Sequence, residues 1–497
     1  MNGFLDQFTK NVLIALRNTQ RRLHLRFPNI FPDDSESRKF FKEHDAKENI
    51  ISQVPLDEDL RQSAIWGVEL YGPKEISALY EGLEKLGWAG SRFGLPDTDC
   101  LEWVRRARQY GHTGKRNLSI VYRHKEKGPG RDYFAPMPDI CNYLLVSITQ
   151  ITPSLTAVHV YFVLNDEATK LYESILNEDR KTYYQKVRGR KGYLIPGVLN
   201  QKRDLIEQAR LKRAHIASGW FSQHLPGLFS GGPLIDELPT GELILMDNYA
   251  ALKDPGENKF SKTKWPDVLG IDQWLDGWIN PTYEGYGLII DSRHNLKKYH
   301  CTVTLRTSSV PDDYYLFRNG RNRGVYDAIV YQDLGGVAVH LATSSYIKEI
   351  GRRIRETREV VSQVSNNRLT LIDTLDQLET FYRDTIGDPA IVEELSKLGK
   401  HDFEFDCTKF VTQNLIRGEK VELPTALYKL TKRISENVHA DGRSARQLFQ
   451  EFSSTLSTRE SIRTQQRMER LTIVAIVIAC ISLVVAAIGV YVSGTGK

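Results

Sequence analysis

The run Gly111-His112-Thr113-Gly114-Lys115 brings glycine, a hydroxyl and a lysine together as a phosphate loop does. Such a loop also needs a glycine five residues before Gly114 and a Ser or Thr after the lysine. Gln109 and Arg116 stand there instead, and the mismatch excludes a nucleotide cradle of that type. Two basic loops carry better anion chemistry: Arg123, Lys125, Lys127 and Arg131 around Gly128-Pro129-Gly130, and Lys186, Arg188, Arg190 and Lys191 around Gly189. Glycine lets a backbone approach a ligand closely, and the cations suit a phosphate-bearing group. Equally, such charge runs occur as solvent-facing turns. Nothing else marks a nucleic-acid partner.

His159 and His340 lie in apolar runs, and His294 and His300 flank a turn, without metal-ligand spacing to any acid. Cys100, Cys141, Cys301, Cys407 and Cys480 form no CxxC pair. The pattern is neither a zinc site nor a disulfide framework, so the thiols are expected to be reduced and no metal site or cofactor is evident. Trp265, Trp274 and Trp278 fall close together and are expected mainly in packing. No nucleophile elbow, HExxH or paired acids occur, so no catalytic residue is nominated.

The elements that must position these groups follow from patterning. A chain of 497 residues can bury a sizeable core, and its balance of 67 cations against 62 anions assigns no partner by itself. Residues 1–70 read as a helical segment, with Leu5, Phe8, Val12 and Leu16 at helical spacing among Asp6, Lys10, Arg17 and Arg21. These charges exclude a secretory signal and leave a packed or surface-membrane amphipathic helix. Residues 71–345 read as a mixed α/β domain. Helices are expected over 75–88 and 97–109, the latter opening on an Asp cap, and over 199–224, with an Asn165-Asp166 cap before another. Strands are expected at 119–124, 143–151, 155–164, 241–247, 287–292, 299–307, 328–332 and 336–343, with a hairpin at Pro153-Ser154.

Residues 346–440 read as a helical domain. Val361, Val364, Leu371, Leu375, Leu378 and Tyr382 make a packing seam, and Asp373, Asp376, Glu379, Asp384, Asp388, Glu393 and Glu394 an acidic face, with a turn at Gly387-Asp388-Pro389. A stalk helix follows over 441–470, starting near Ser444. Ser457, Thr458, Ser461 and Thr464 lie where an oligomer could line a wet channel. Residues 471–492 contain neither charge nor proline and would extend about 33 Å as a helix, enough to cross a bilayer. Arg459, Arg463, Arg467 and Arg470 precede the span, and Lys497 follows it in a short far-side tail, 493–497. The arginines place the body on the cytoplasmic side. Ala475, Ala479, Ser482, Ala486, Gly489 and Ser493 recur at alternating steps of four and three on one face. Small residues let membrane helices approach closely, so a homo-oligomeric bundle is expected.

The stretch Met468-Glu469-Arg470-Leu471-Thr472, with Gly489 beyond it, resembles the end of the stalk and the first membrane helix of CorA-type divalent-cation channels. Met468, Leu471 and Thr472 fill matching places, and Gly489 stands where the Gly-Met-Asn signature begins. Val490 and Tyr491 replace the signature Met and Asn, the family's proline is replaced near Cys480, and the second membrane helix is missing. The resemblance implies a pentamer around a central ring of helices and a divalent cation as its substrate. The lost asparagine amide removes the group that helps hold the hydrated ion.

The expected architecture is thus an α+β cytoplasmic domain followed by long helices and one C-terminal transmembrane helix in a single-pass membrane protein. The expected function is a membrane-anchored oligomeric sensor or effector whose cytoplasmic domain controls the helix bundle, with a CorA-like ion channel as its sharpest form. A tail-anchored enzyme with its active site in the α/β domain and a divalent-cation transporter are the alternatives.

Overall fold

Strands rich in β-branched and aromatic residues assemble one large sheet in a computed structural model that describes residues 2–27, 30–31, 35–90, 99–123, 133–183, 185–186, 193–231, 238–252, 264–271, 277–291, 300–311, 322–365, 388–399, 410–413 and 419–494. The described strands are β1 (Arg61–Tyr71), β2 (Gly114–Tyr122), β3 (Tyr133–Phe134), β4 (Cys141–Thr152), β5 (Leu155–Leu164), β6 (Gln185–Lys186), β7 (Tyr193–Leu194), β8 (Thr240–Met246), β9 (Gly277–Ile279), β10 (Gly287–Asp291), β11 (His300–Arg306) and β12 (Val411–Thr412). The helices are α1 (Asn2–Arg26), α2 (Ser35–Ser52), α3 (Ile76–Lys85), α4 (Cys100–Tyr110), α5 (Asp166–Asn177), α6 (Val198–His224), α7 (Trp265–Val268), α8 (Arg323–Ser365), α9 (Asp388–Lys397) and α10 (Leu423–Gly494).

The sheet has ten strands in the order β12-β9-β10-β11-β8-β1-β5-β4-β2-β3, and β6 pairs with β7 apart from it. Most neighbours are antiparallel, and β8 runs parallel to β11. Pro153 and Ser154 close the β4–β5 hairpin as the sequence predicts. The fold is mixed α+β. Helices cover both faces of the sheet. On one face Gly67 of β1 lies against Phe221 and Ala217 of α6. On the other, Tyr331 of α8 packs against His159 and Tyr161 of β5. Strand β5 is buried along its whole length as a result.

Caps set several helix starts. Asn165 accepts from the Ala168 N–H at 2.9 Å, as the sequence predicts. The cap of α4 is Asp99, which accepts from Leu101 and Glu102; Asp97 lies outside the described residues.

The molecule divides into two compact units, Met1–Glu349 with Gly387–Glu436, and Ile350–Ile386 with Asn437–Lys497. The sheet belongs to the first. In the second, α8 and α10 run beside one another, with Arg358 paired to Asp441 at 3.5 Å and Ile354 against Gly442.

Three expectations need correction. The stretch 1–70 is not helical to its end, because Arg61–Tyr71 forms the central strand β1. The segments 328–332 and 336–343 are not strands; they belong to α8. Every residue from Leu334 to Ile347 is buried, so that helix has no polar stripe and its β-branched run mimics a strand in sequence. The last helix starts at Leu423 rather than near Ser444. The seam over 371–382 and the acids Asp373, Asp376, Glu379 and Asp384 lie outside the described residues.

Among the described residues no helix is long and apolar enough to cross a membrane. Backbone is described as helical through 471–492, but side-chain environments within that run are described only for 471–479 and Ser482.

Candidate functional site

An acid in an otherwise apolar strand must find a partner or lose its charge. Glu242, in the middle of β8 beneath α6, finds several. Arg210 of α6 donates to its Oε1 at 2.7 Å, Gln62 of β1 donates to its Oε2 at 2.7 Å, and Thr302 of β11 adds a hydroxyl at 3.1 Å. His300 lies 3.7 Å away and meets Thr240 at 3.1 Å. Burial raises the carboxyl pKa, but Arg210 and His300 outweigh it and hold Glu242 well below the usual carboxylate range. The adjoining cleft, lined by Trp66, Arg213 and Gly241 besides these groups, has a cavity volume of about 10 Å³, room for no more than a single water. Small-molecule sites run from about 300 to 1,000 Å³, so this one is too small for most ligands. Most of its polar groups bond one another, while Gln62 Oε1 and His300 Nε2 have no hydrogen-bond partner among the described residues. The cluster clamps α6 to three strands.

A second polar layer lies beneath α8. Ser63 of β1 donates to Asp327 at 2.8 Å and accepts from the Arg323 Nε at 2.7 Å. Burial lifts the Asp327 carboxyl to about 6 against the pull of Ser63 and Arg323. Beside it, Trp66 stacks on Tyr161 at 5.6 Å and His159 on Tyr331 at 5.6 Å. Burial and then the Lys115 charge depress His159 to about 3. That imidazole stays neutral at physiological pH and is poorly matched to proton transfer near neutrality. Ser147 is its cross-strand neighbour, which would suggest a nucleophile and base. Both side chains are about 1% exposed, and no described cleft reaches them.

Two further buried charges hold turns. Glu69 accepts from the Phe229 and Ser230 N–H groups, each at 2.7 Å, and burial lifts its carboxyl to about 7. Lys202 is held in α6 against the Ser52 carbonyl, and burial lowers its amine to about 8.

The residues nominated from sequence fall apart spatially. Gly111 adopts φ 70° and caps α4, and Gly114 opens β2. The chain there runs helix to strand, the reverse of a phosphate loop. Lys115 lies over the Tyr331 ring at 5.6 Å. In the first basic loop Arg123 is committed to Asp139 at 2.7 Å and to the Pro138 carbonyl at 2.8 Å, so it serves the fold. Lys125, Lys127 and Arg131, with Arg188, Arg190 and Lys191, lie outside the described residues, as does the side chain of Lys186 in β6. Of the acidic face, Glu394 accepts from Ser154 at 2.7 Å and Asp388 from Tyr346 at 2.6 Å. Trp265 is a core residue of the α7 region and Trp278 sits in β9; Trp274 lies outside the described residues. Among the described residues no group of three or more His, Cys, Asp or Glu could hold a metal ion.

What the interior lacks, the last helix offers on its surface. In α10, Leu471, Ile473, Val474, Ile476, Val477 and Ile478 are each 50–65% exposed. The apolar atoms point outward all round the helix. Thr472 donates its hydroxyl to the Met468 carbonyl and Ser482 to that of Ile478, both at 2.8 Å, so these polar side chains are satisfied within the helix. Of the small-residue seam, Ala475, Ala479 and Ser482 are exposed; Ala486, Gly489 and Ser493 are helical, with side chains outside the described set. Thr458, Ser461 and Thr464 are exposed on the polar stretch before it, and the Ser457 side chain is outside the description.

No family model, curated protein or solved structure matches this chain.

Proposed function

We propose that the chain is a single-pass membrane protein in which the α+β body stands on the cytoplasmic side and α10 carries on into the bilayer. The supporting observation is the uncharged run 471–492 on one helix, with its described apolar side chains turned outward on every side. Such a surface is costly in water and suits hydrocarbon. Helix α10 spans 72 residues, or about 108 Å at 1.5 Å per residue. One helix thereby links the body at Leu423 to the span, and a change of packing at one end can bias the other. The body acts as the sensor and the membrane helices as the effector.

The seam Ala475, Ala479, Ser482, Ala486, Gly489 and Ser493 supports self-association of these helices. The CorA-like form of the reading, a pentamer with an ion-permeable centre lined towards the body by Ser457, Thr458, Ser461 and Thr464, rests on the resemblance at Met468, Leu471, Thr472 and Gly489.

The test begins with extraction. The full chain should resist alkaline carbonate and leave membranes only in detergent, whereas a chain ending at Arg470 should be released. Release of the full chain by carbonate would overturn the reading. Ala486→Leu and Gly489→Leu should then abolish cross-linked oligomers of the extracted chain without releasing it. Oligomers that survive both changes would remove the seam from the account.

A further inference from the structure

Helix α1 presents an apolar surface that the body leaves uncovered. Val12, Leu13, Ile14, Leu16, Leu23 and Phe27 are all exposed, at 37–61%. Leu5, Phe8, Val12, Leu16, Leu23 and Phe27 recur at steps that keep them on one side of a helix. Lys10, Arg17 and His24 fall on the other side, with the exposed Ile14 among them and Leu13 at the border, and Arg22 and Arg26 fall at the edge of the apolar side. The helix carries five cations (Lys10, Arg17, Arg21, Arg22 and Arg26) and a single acid, Asp6. We infer that α1 is an interfacial helix that lies in the headgroup region of an anionic leaflet, its apolar side down.

Charge chooses this occupant. A cationic polar side with an apolar side beneath it matches the negative surface of a cytoplasmic leaflet, where each Lys or Arg adds attraction. A second α1 packed on the apolar side would leave these cations facing away from the contact, whereas an anionic leaflet meets both the apolar side and the charge. The span 471–492 is too uniformly apolar to lie in the interface, and α1 is too charged to cross; the two would use one bilayer in different ways. Which leaflet α1 meets rests on the proposed function. Its affinity for an anionic surface does not.

The test uses the full chain with Cys407→Ser and Cys480→Ala, and a polarity-sensitive dye on Leu16→Cys; Cys100, Cys141 and Cys301 are buried. It is mixed with vesicles of phosphatidylcholine alone or with phosphatidylserine added. The dye should shift to the blue only with phosphatidylserine, and high salt or Lys10→Glu with Arg17→Glu and Arg21→Glu should abolish the shift. An unchanged dye on phosphatidylserine vesicles overturns the inference. So does a blue shift that needs no lipid and grows with protein concentration, which would mark a second copy as the cover. Flotation on phosphatidylcholine alone reads the C-terminal span separately. A chain that floats only with phosphatidylserine keeps the α1 inference and sinks the anchor, and one that floats on both with a silent dye does the reverse.

Discussion

Asp327 keeps one oxygen on Ser63 while the other has no hydrogen-bond partner among the described residues, 4.0 Å from the Arg323 guanidinium. Burial lifts its carboxyl from 3.8 to about 6. Between those values the folded chain holds a proton that the unfolded chain has released. Stability therefore falls as pH rises from about 4 to about 6, and the loss is complete above that window. Asp327→Asn removes the titration and keeps the shape. At pH 4 the variant and the parent should melt together in detergent. At pH 7.5 the variant should exceed the parent by on the order of 1–3 kcal/mol, since a tenfold change in proton affinity is worth about 1.4 kcal/mol. Melting curves that stay parallel from pH 4 to 7.5 would remove the buried ionisation from the account. Sequence patterning could have flagged the buried acids Glu69 and Glu242, which stand alone within apolar strands, and Asp327, which opens the apolar run of α8. It could not name their partners. Gln62 meets Glu242 across 180 residues and Ser63 meets Asp327 across 264, pairings that depend on strand register and helix placement.

At the scale of elements, the legible parts were those with one wet face or a clear punctuation mark: the β4–β5 hairpin at Pro153, the Asn165 cap and helix α6. Element α8 was misread because burial on every side erases the helical stripe, and β1 because a central strand buried on both faces shows no alternation. The contact between these two misread elements is filled by rings: Trp66 on Tyr161, and Tyr161 edge-on to Tyr331 at 5.9 Å. Gly241 of β8 makes room for that stack. A methyl group there would meet the Trp66 ring and lie 2.7 Å from the Cys301 carbonyl. Gly241→Ala should cost about 1–3 kcal/mol by overpacking. Gly219, within α6, has nothing within 4 Å of its added methyl. Gly219→Ala should instead stabilise the fold by up to about 1 kcal/mol through helix propensity. Thermal midpoints that move in the same direction for the two variants would defeat this packing argument.

At the scale of the whole molecule, the proposed membrane anchor makes charge the determinant of which way the chain would lie. Arginines at 459, 463, 467 and 470 flank one end of the apolar run, and Arg467 and Arg470 are exposed on the helix surface. Retaining four guanidinium groups on the cytoplasmic side is favoured over moving them through hydrocarbon, where each costs about 2.5–3.5 kcal/mol at the centre of a helix. The sheet, α1 and the buried networks at Glu242 and Asp327 then all remain on the arginine side. A glycosylation acceptor tag fused after Lys497 should be modified when the chain is made with microsomes, while protease added outside should digest the body and spare the tag. The same tag placed before α1 should stay unmodified. A modified N-terminal tag with a silent C-terminal one would reverse the orientation, carry α1 to the opposite leaflet and leave the length argument for the span untouched. Replacing all four arginines with glutamine is the sharper form of the experiment. It removes the asymmetry without altering the apolar run, so insertion should persist while the C-terminal tag is modified in a smaller fraction of chains. An unchanged fraction would mean that the bulk of the folded body, rather than the arginine flank, sets the orientation.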